Sequence, residues 1–210
     1  MTIYAPAKLS AAQFDQYAQL PENAGRRLEF SDGQIYEKPP RDIRLSLPRT
    51  GEPMSSNTLA SFTAARLLVL VGMYLFRNPI GYFTGTDGGY QFGNRRYIPD
   101  FAFTSYAKQT IVQAVGYNPI IPDLVVEVIS DPENILEQRN LRLKIQEYLK
   151  AGVVVWIFDP FDRHAEVYSP GESPLLLGEA DTIDGGTILP GFVLVVGELF
   201  TSFSPPTATP

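Results

Sequence analysis

With 210 residues, 44% of them apolar, the chain can bury one sizeable core; the expectation is a single domain over residues 1–203 and a disordered tail over 204–210. The 17 Lys and Arg against 23 Asp and Glu, a net charge of −6, exclude a surface coated in positive charge for nonspecific nucleic-acid binding, and the absence of cysteine excludes disulfides, thiol nucleophiles and thiolate metal sites. No apolar run reads as a membrane span and the first twenty residues lack the order of a signal peptide, so the expectation is a cytoplasmic protein with no membrane partner.

Ser10 caps a predicted helix in AAQFDQYAQL that ends by Pro21. RRLEFSDGQIYEK reads as two short strands around an Asp-Gly turn, and the Pro- and Arg-rich PPRDIRLSLPRTGEP as a long loop. Residues 1–100 hold 11 Lys/Arg against 9 Asp/Glu and residues 101–210 hold 6 against 14, so balances of +2 and −8 divide the chain. Arg26, Arg27, Arg41, Arg44, Arg49, Arg95 and Arg96 all fall in the first part, as a phosphate-facing patch or as scattered surface charges. Ser56 to about Phe76 has the period of a helix with a broad apolar side. GYFTGTDGGYQFG lacks the Gly-Lys-Ser/Thr ending of a phosphate loop and reads as strand and turn.

YIPDFAFTS and PDLVVEVIS follow as strands, the first with Pro99 at its start. SDPENILEQRNLRLKIQEYLKAG is predicted helical, with Ser130 or Asp131 as cap, Pro132 in the first turn and Gly152 as terminator. VVVWIFDP and HAEVYS pair across the DPFDR turn, and LPGFVLVVGELF closes the fold.

The residue that points to chemistry is Glu127. Alternation along PDLVVEVIS puts Val125, Glu127 and Ile129 on one face and Leu124, Val126 and Val128 on the other, so one acid interrupts two apolar faces. A carboxylate there needs a partner. Asp100 is one candidate: if its strand neighbours that of Glu127, the two acids converge, and paired carboxylates are a natural site for Mg²⁺. Lys144 is another, three residues after Leu141 and four before Tyr148 on a stripe built to pack against the sheet; the alternative is a stem that snorkels to solvent. Glu29 in LEFSDG is the third, or a plain hairpin residue. A structural ion pair of Glu127 with Arg139 or Arg142 also fits the spacing.

Other polar residues carry less. His164, the single histidine, reads as a solvent-facing hairpin residue without partners for a triad or zinc site. Trp156 reads as core, and Asp123 as an acid that meets water at a strand start or adds to the Glu127 site.

These segments together, PDLVVEVIS, LRLKIQEYLKAGVVVWIFDP and HAEVYSPG, with YIPDFAF and LEFSDGQIYEKPP upstream and LPGFVLVVGELF at the end, resemble the Uma2 family, restriction-endonuclease-like proteins common in cyanobacteria. The resemblance implies an α/β (mixed α+β) fold: a PD-(D/E)XK core, a mixed sheet flanked by helices, preceded by an N-terminal helix and hairpin. It makes Pro99-Asp100 the PD and Glu127 the next acid. The lysine of the general pattern falls on Ile129; the family supplies one from the following helix, here Lys144, and an acid from the hairpin, here Glu29. Where many relatives have a histidine before the second helix, this chain has Ser56 and Asn57. The implied activity is hydrolysis of DNA phosphodiester bonds. Mg²⁺, or Mn²⁺ in its place, would be held by Asp100, Glu127 and the Val128 carbonyl, and Lys144 would orient or deprotonate water or stabilise charge. A homodimer is compatible with the fold. The alternative is a catalytically inactive nuclease-fold protein that serves as a binding or regulatory module, and the vacant lysine slot at 129 and the acidic surface favour it.

Overall fold

Ser10 begins α1 (Ala11–Ala18) with a reciprocal cap: its hydroxyl accepts from the Gln13 amide and the Gln13 side chain accepts from the Ser10 amide, which satisfies two open donors of the first turn. The computed structural model describes residues 8–38 and 58–201. Helix α1 buries Phe14 against Phe30 and Leu28 of the following hairpin, the two phenyl rings stacked at 5.1 Å. That hairpin is β1 (Arg27–Ser31) and β2 (Gln34–Lys38). Asp32 and Gly33 turn it with φ of 53° and 85°, the left-handed pair that a two-residue loop requires to match strand twist.

The long loop expected after Lys38, the Ser56-Asn57 pair and the tail at 204–210 lie outside the described residues. Helix α2 (Thr58–Arg77) follows, then β3 (Gly81–Thr84), β4 (Tyr90–Phe92), β5 (Arg95–Tyr97), β6 (Phe101–Ser105) and β7 (Leu124–Val128). Helix α3 (Ile135–Lys150) leads to β8 (Val154–Asp159), β9 (His164–Tyr168), β10 (Leu175–Leu177), β11 (Thr182–Asp184) and β12 (Val193–Val195). Among the described residues the strands form a six-stranded sheet in the order β10-β9-β8-β7-β6-β3, a four-stranded sheet β2-β1-β5-β4 and the pair β11-β12. Only β7 and β8 run parallel within the large sheet, and α3 supplies the crossover that parallel neighbours need.

The alternation in β7 divides the core. Leu124, Val126 and Val128 join Leu67 and Val71 of α2, Phe101, Phe103, Trp156 and Phe158 in an apolar layer. Val125 and Ile129 join Ile145 and Tyr148 of α3, with Tyr90, Phe92 and Tyr97 of the small sheet closing the other side. Trp156, buried to 2%, is core as expected.

Two expectations need correction. Helix α3 is capped by Asn134, whose side-chain Oδ1 accepts from the Leu136 and Glu137 amides, rather than by Ser130 or Asp131 with Pro132 in the first turn. Asp131 instead closes a local turn onto the Glu133 amide, and Ser130 donates to Glu137, so the earlier capping candidates are consumed before the helix starts. The predicted stop holds: Gly152 sits at φ 80° and its amide donates to the Leu149 carbonyl. Second, α2 is long and apolar enough, by length and composition alone, to cross a bilayer. Its composition reflects two apolar faces, one of which is packed in the core.

Candidate active site

Glu127 projects from the α3 side of β7 and is 5% exposed. Lys144 reaches it from α3, Nζ to Oε1 at 3.2 Å, and Nζ also donates to Glu29 Oε1 at 2.8 Å. The two acids and the ammonium, distant in sequence, therefore meet, with Glu29 at 6% and Lys144 at 9% exposure. The pairing of β1 with β5 and of β6 with β7 is what brings Glu29 over the end of the large sheet.

The connection from β5 to β6 completes the cluster. Ile98 donates its amide to Glu29 Oε1 at 2.8 Å, and the Asp100 amide donates to the Val126 carbonyl. Asp100 Oδ2 accepts the Val128 amide at 2.9 Å. Asp100 is thus the residue before β6, fixed to β7 from both its backbone and its side chain. Each of the three acids has one oxygen anchored: Glu29 to Ile98 and Lys144, Asp100 to Val128, and Glu127 to Lys144 and the Tyr148 hydroxyl, which donates at 2.9 Å.

The second oxygens of Asp100 and Glu127 face one cation that the sequence reading passed over. Lys38, the last residue of β2, places Nζ 3.4 Å from Asp100 Oδ1, 3.6 Å from Glu127 Oε2 and 3.9 Å from Glu29 Oε1. A lysine at the end of a hairpin, before two prolines, looks like an ordinary solvent-facing charge; only the hairpin's docking on the large sheet reveals its target. Tyr148, which by sequence belongs to the packing stripe of its helix, also turns its hydroxyl to Glu127.

Burial by itself would lower the Lys144 pKa, but the attraction of Glu127, Glu29 and Asp100 outweighs it and holds the group above the ordinary lysine range. The three neighbouring acids favour the ammonium form of Lys144, the form suited to orienting water and meeting negative charge. Burial, then the neighbouring Glu127 and Glu29, pushes the Tyr148 phenol far up, so it stays a neutral donor. Burial likewise pushes Tyr97, whose ring lies 5.5 Å from the Lys144 ammonium, up to about 12.

The cluster lies on a cleft of about 1290 Å³ walled by Ala64, Ala65 and Leu68 of α2 on one side and by Asn140 and Leu141 of α3 on the other. Val128, the expected carbonyl ligand, lines the same cleft. The outward oxygens of Asp100 and Glu127 converge on the Lys38 ammonium, with the anchored Oε1 of Glu29 3.9 Å from it, a hard-oxygen donor set that already accommodates a cation, and so the residues fit a Mg²⁺-type ion.

Other candidates go elsewhere. Arg142 forms a two-pronged pair with Glu166, so it does not serve Glu127. Asp123 accepts the Ser105 amide and pairs with Lys108 at 3.0 Å, neither meeting only water nor joining the cluster. Arg26, Arg27, Arg95 and Arg96 pair with Glu37, Asp87, Asp32 and Asp15, so these four are neutralised locally; Arg41, Arg44 and Arg49 lie outside the described residues. His164 is half-buried, and the ligand atoms of His164, Asp159 and Asp162 lie within 4.8 Å of one another, so the expectation that it lacks partners does not hold. Asp159 Oδ1 there accepts the amides of Phe161 and Asp162, which is the closure of the β8–β9 turn.

A family model, Uma2, described as "Putative restriction endonuclease", matches residues 14–197. The chain belongs to the Uma2 family. Among solved structures, one described as "a putative nuclease belonging to DUF820 from Anabaena variabilis" superposes with a TM-score of 0.71 at 18% identity, covering 91% of this chain and 97% of that one. At that identity the likeness establishes a shared fold, mixed α/β with a sheet flanked by helices, as expected. No curated protein matches. Within the Uma2 chain, the matched span takes in Glu29, Lys38, Asp100, Glu127 and Lys144.

Proposed function

We propose that this Uma2 protein is a divalent-metal-dependent nuclease that hydrolyses phosphodiester bonds of DNA. The observation that carries the reading is the convergence of Glu29, Asp100 and Glu127 with Lys144 and Lys38 at one cleft. Buried ionisable clusters on a cleft are where chemistry concentrates. Asp100 and Glu127 would hold Mg²⁺ through their outward oxygens, with the Val128 carbonyl as a further donor and Glu29 beside them. The ion, when bound, supplies a more acidic water and polarises a phosphate oxygen.

The chain's own residues do the rest. Lys144 and the Tyr148 hydroxyl hold Glu127 in one orientation and balance its charge. Ile98 and Val128 fix Glu29 and Asp100 through backbone amides. Lys38 faces the cleft as an ammonium able to meet the charge that gathers on a phosphate in the transition state. The small side chains of Ala64 and Ala65 keep the opposite wall open to a backbone phosphate.

A second reading, the binding or regulatory module without catalysis, is favoured by Lys38 itself, since its ammonium already neutralises the acids that a metal would claim. The two are separated by incubating single-stranded, duplex and branched DNA with the wild type, Asp100→Asn and Lys144→Arg in Mg²⁺ or Mn²⁺. The nuclease reading expects metal-dependent cleavage by the wild type, lost in Asp100→Asn. Cleavage that survives both substitutions removes the proposed site, and binding without cleavage of any substrate favours the module.

A further inference from the structure

Among the described residues, three cations line the cleft, Arg27, Lys38 and Lys144, and they are held very differently. Arg27 is committed to Asp87 at 3.2 Å and to the Thr86 carbonyl. Lys144 bonds the anchored oxygens of two acids, at 2.8 Å to Glu29 and 3.2 Å to Glu127. Lys38 is held loosely: its shortest printed acid contact, to Asp100, is 3.4 Å, beyond the roughly 2.7–2.9 Å of a well-made hydrogen bond between ammonium and carboxylate. It also ends β2, the edge strand of the small sheet, and its side chain keeps 19% exposure against 11% for Lys144. A flexible four-carbon stem at that edge can turn its head along the cleft without moving either sheet.

Lys38 stands where a divalent ion would bind. Its two nearer contacts, Asp100 Oδ1 and Glu127 Oε2, are the oxygens that the Val128 amide, Lys144 and Tyr148 leave over. A hard cation draws such oxygens to about 2.0–2.1 Å, and like charge drives off an ammonium centred on the same pair. Formal charge shows what the displaced group needs. Glu29, Asp100 and Glu127 against Lys38 and Lys144 leave one negative charge; a divalent ion turns it into one positive charge, and a phosphodiester group restores neutrality.

We propose that Lys38 is a displaceable counter-ion that couples the two ligands of this site: it yields the acids to a divalent ion and pairs instead with a backbone phosphodiester, so each ligand tightens the other. The inference rests on reading the cluster as a metal site and adds a linkage between its ligands. Without a phosphate, the metal binds against the loss of every acid contact that Lys38 makes. A phosphodiester removes that penalty, and by linkage the benefit is mutual. Lys144 cannot take this part, because its head is buried on oxygens that stay anchored.

The test is calorimetric titration of Mn²⁺ into the full chain, alone and with excess dinucleotide phosphorothioate, which keeps the single negative charge of a diester and resists hydrolysis. The uncharged dinucleotide methylphosphonate is the control. In the wild type the phosphorothioate should raise Mn²⁺ affinity about tenfold, Mn²⁺ should raise phosphorothioate affinity by the same factor, and the methylphosphonate should do neither. These titrations need no variant. Lys38→Met should bind Mn²⁺ alone about tenfold more tightly than the wild type and gain about twofold or less from the phosphorothioate, whereas Lys38→Arg should keep the wild-type gain. Wild-type Mn²⁺ binding that the phosphorothioate leaves unchanged overturns the proposal and leaves the metal site standing. An equal gain in the wild type and Lys38→Met also overturns it, since the ion itself would then carry the coupling. A Lys38→Met protein that melts lower with Mn²⁺ affinity unchanged makes Lys38 a clamp between the sheets and overturns it too. No Mn²⁺ binding in any of these titrations removes the metal reading itself, and the proposal with it.

Discussion

The two faces of β7 solve the same packing problem in opposite ways. Toward α2, Leu124, Val126 and Val128 are held by dispersion and exclusion of water alone, and any side chain of similar shape would serve. Toward α3, Glu127 stands between Val125 and Ile129 and is tolerated because Lys144, Lys38 and the Tyr148 hydroxyl meet it. Hydrophobic residues of equal volume would hold that face together as well or better, since desolvation consumes much of what a buried ion pair gains. Stability alone therefore does not account for the charged face.

The contrast is sharpest in paired substitutions. Leu124→Ala on the dry face should lose about 2–5 kcal/mol in urea unfolding, and Lys144→Met on the charged face about 3–5 kcal/mol because Glu29 and Glu127 lose their shared cation. Mn²⁺ should restore part of the second loss and none of the first. Equal losses with no metal recovery in either would reduce the charged face to ordinary core.

Alkaline titration separates the faces next. A lysine whose folded pKa is raised contributes stability in full below its unfolded value of about 10.4 and loses it as pH climbs toward the folded value. Lys144 should therefore make the wild type lose stability above about pH 10 more steeply than Lys144→Met does. The raised phenols of Tyr148 and Tyr97 act in the same direction in both proteins, so the difference in slope isolates the lysine. Parallel slopes in urea titrations at stepped pH would remove the argument.

Smaller effects follow at the cleft and on the surface. Lys38→Met should tighten Mn²⁺ binding about tenfold in calorimetry, roughly 1.4 kcal/mol, because the acids no longer share their charge with the ammonium; unchanged or weaker binding would place the ion away from Lys38. Arg142→Ala breaks a pair in which Arg142 is half exposed, and its cost in unfolding should stay below about 1 kcal/mol.

The sequence made some of this arrangement legible and concealed the rest for identifiable reasons. The hairpin could be read from Asp32-Gly33 because few residue pairs accept two successive left-handed conformations. Glu127 and Lys144 stood out because each interrupts an apolar period. Lys38 broke no period, so its role depends on how two sheets meet, which local pattern does not encode. The start of α3 was misplaced because Ser130, Asp131 and Asn134 are all competent caps, and only the competing turn at Asp131 decides among them. The apolar breadth of α2 was visible, but breadth alone does not tell which stripe, here Ala60, Ala64, Leu67, Val71 and Leu75, enters the core.

The short link Ile98–Asp100 between the two sheets clasps Glu29 with its first residue and reaches Val126 and Val128 with its last. Three consecutive residues thus tie the place of Glu29 on the small sheet to that of Asp100 beside the large one, so the spacing of those two acids is written into a single short stretch of backbone.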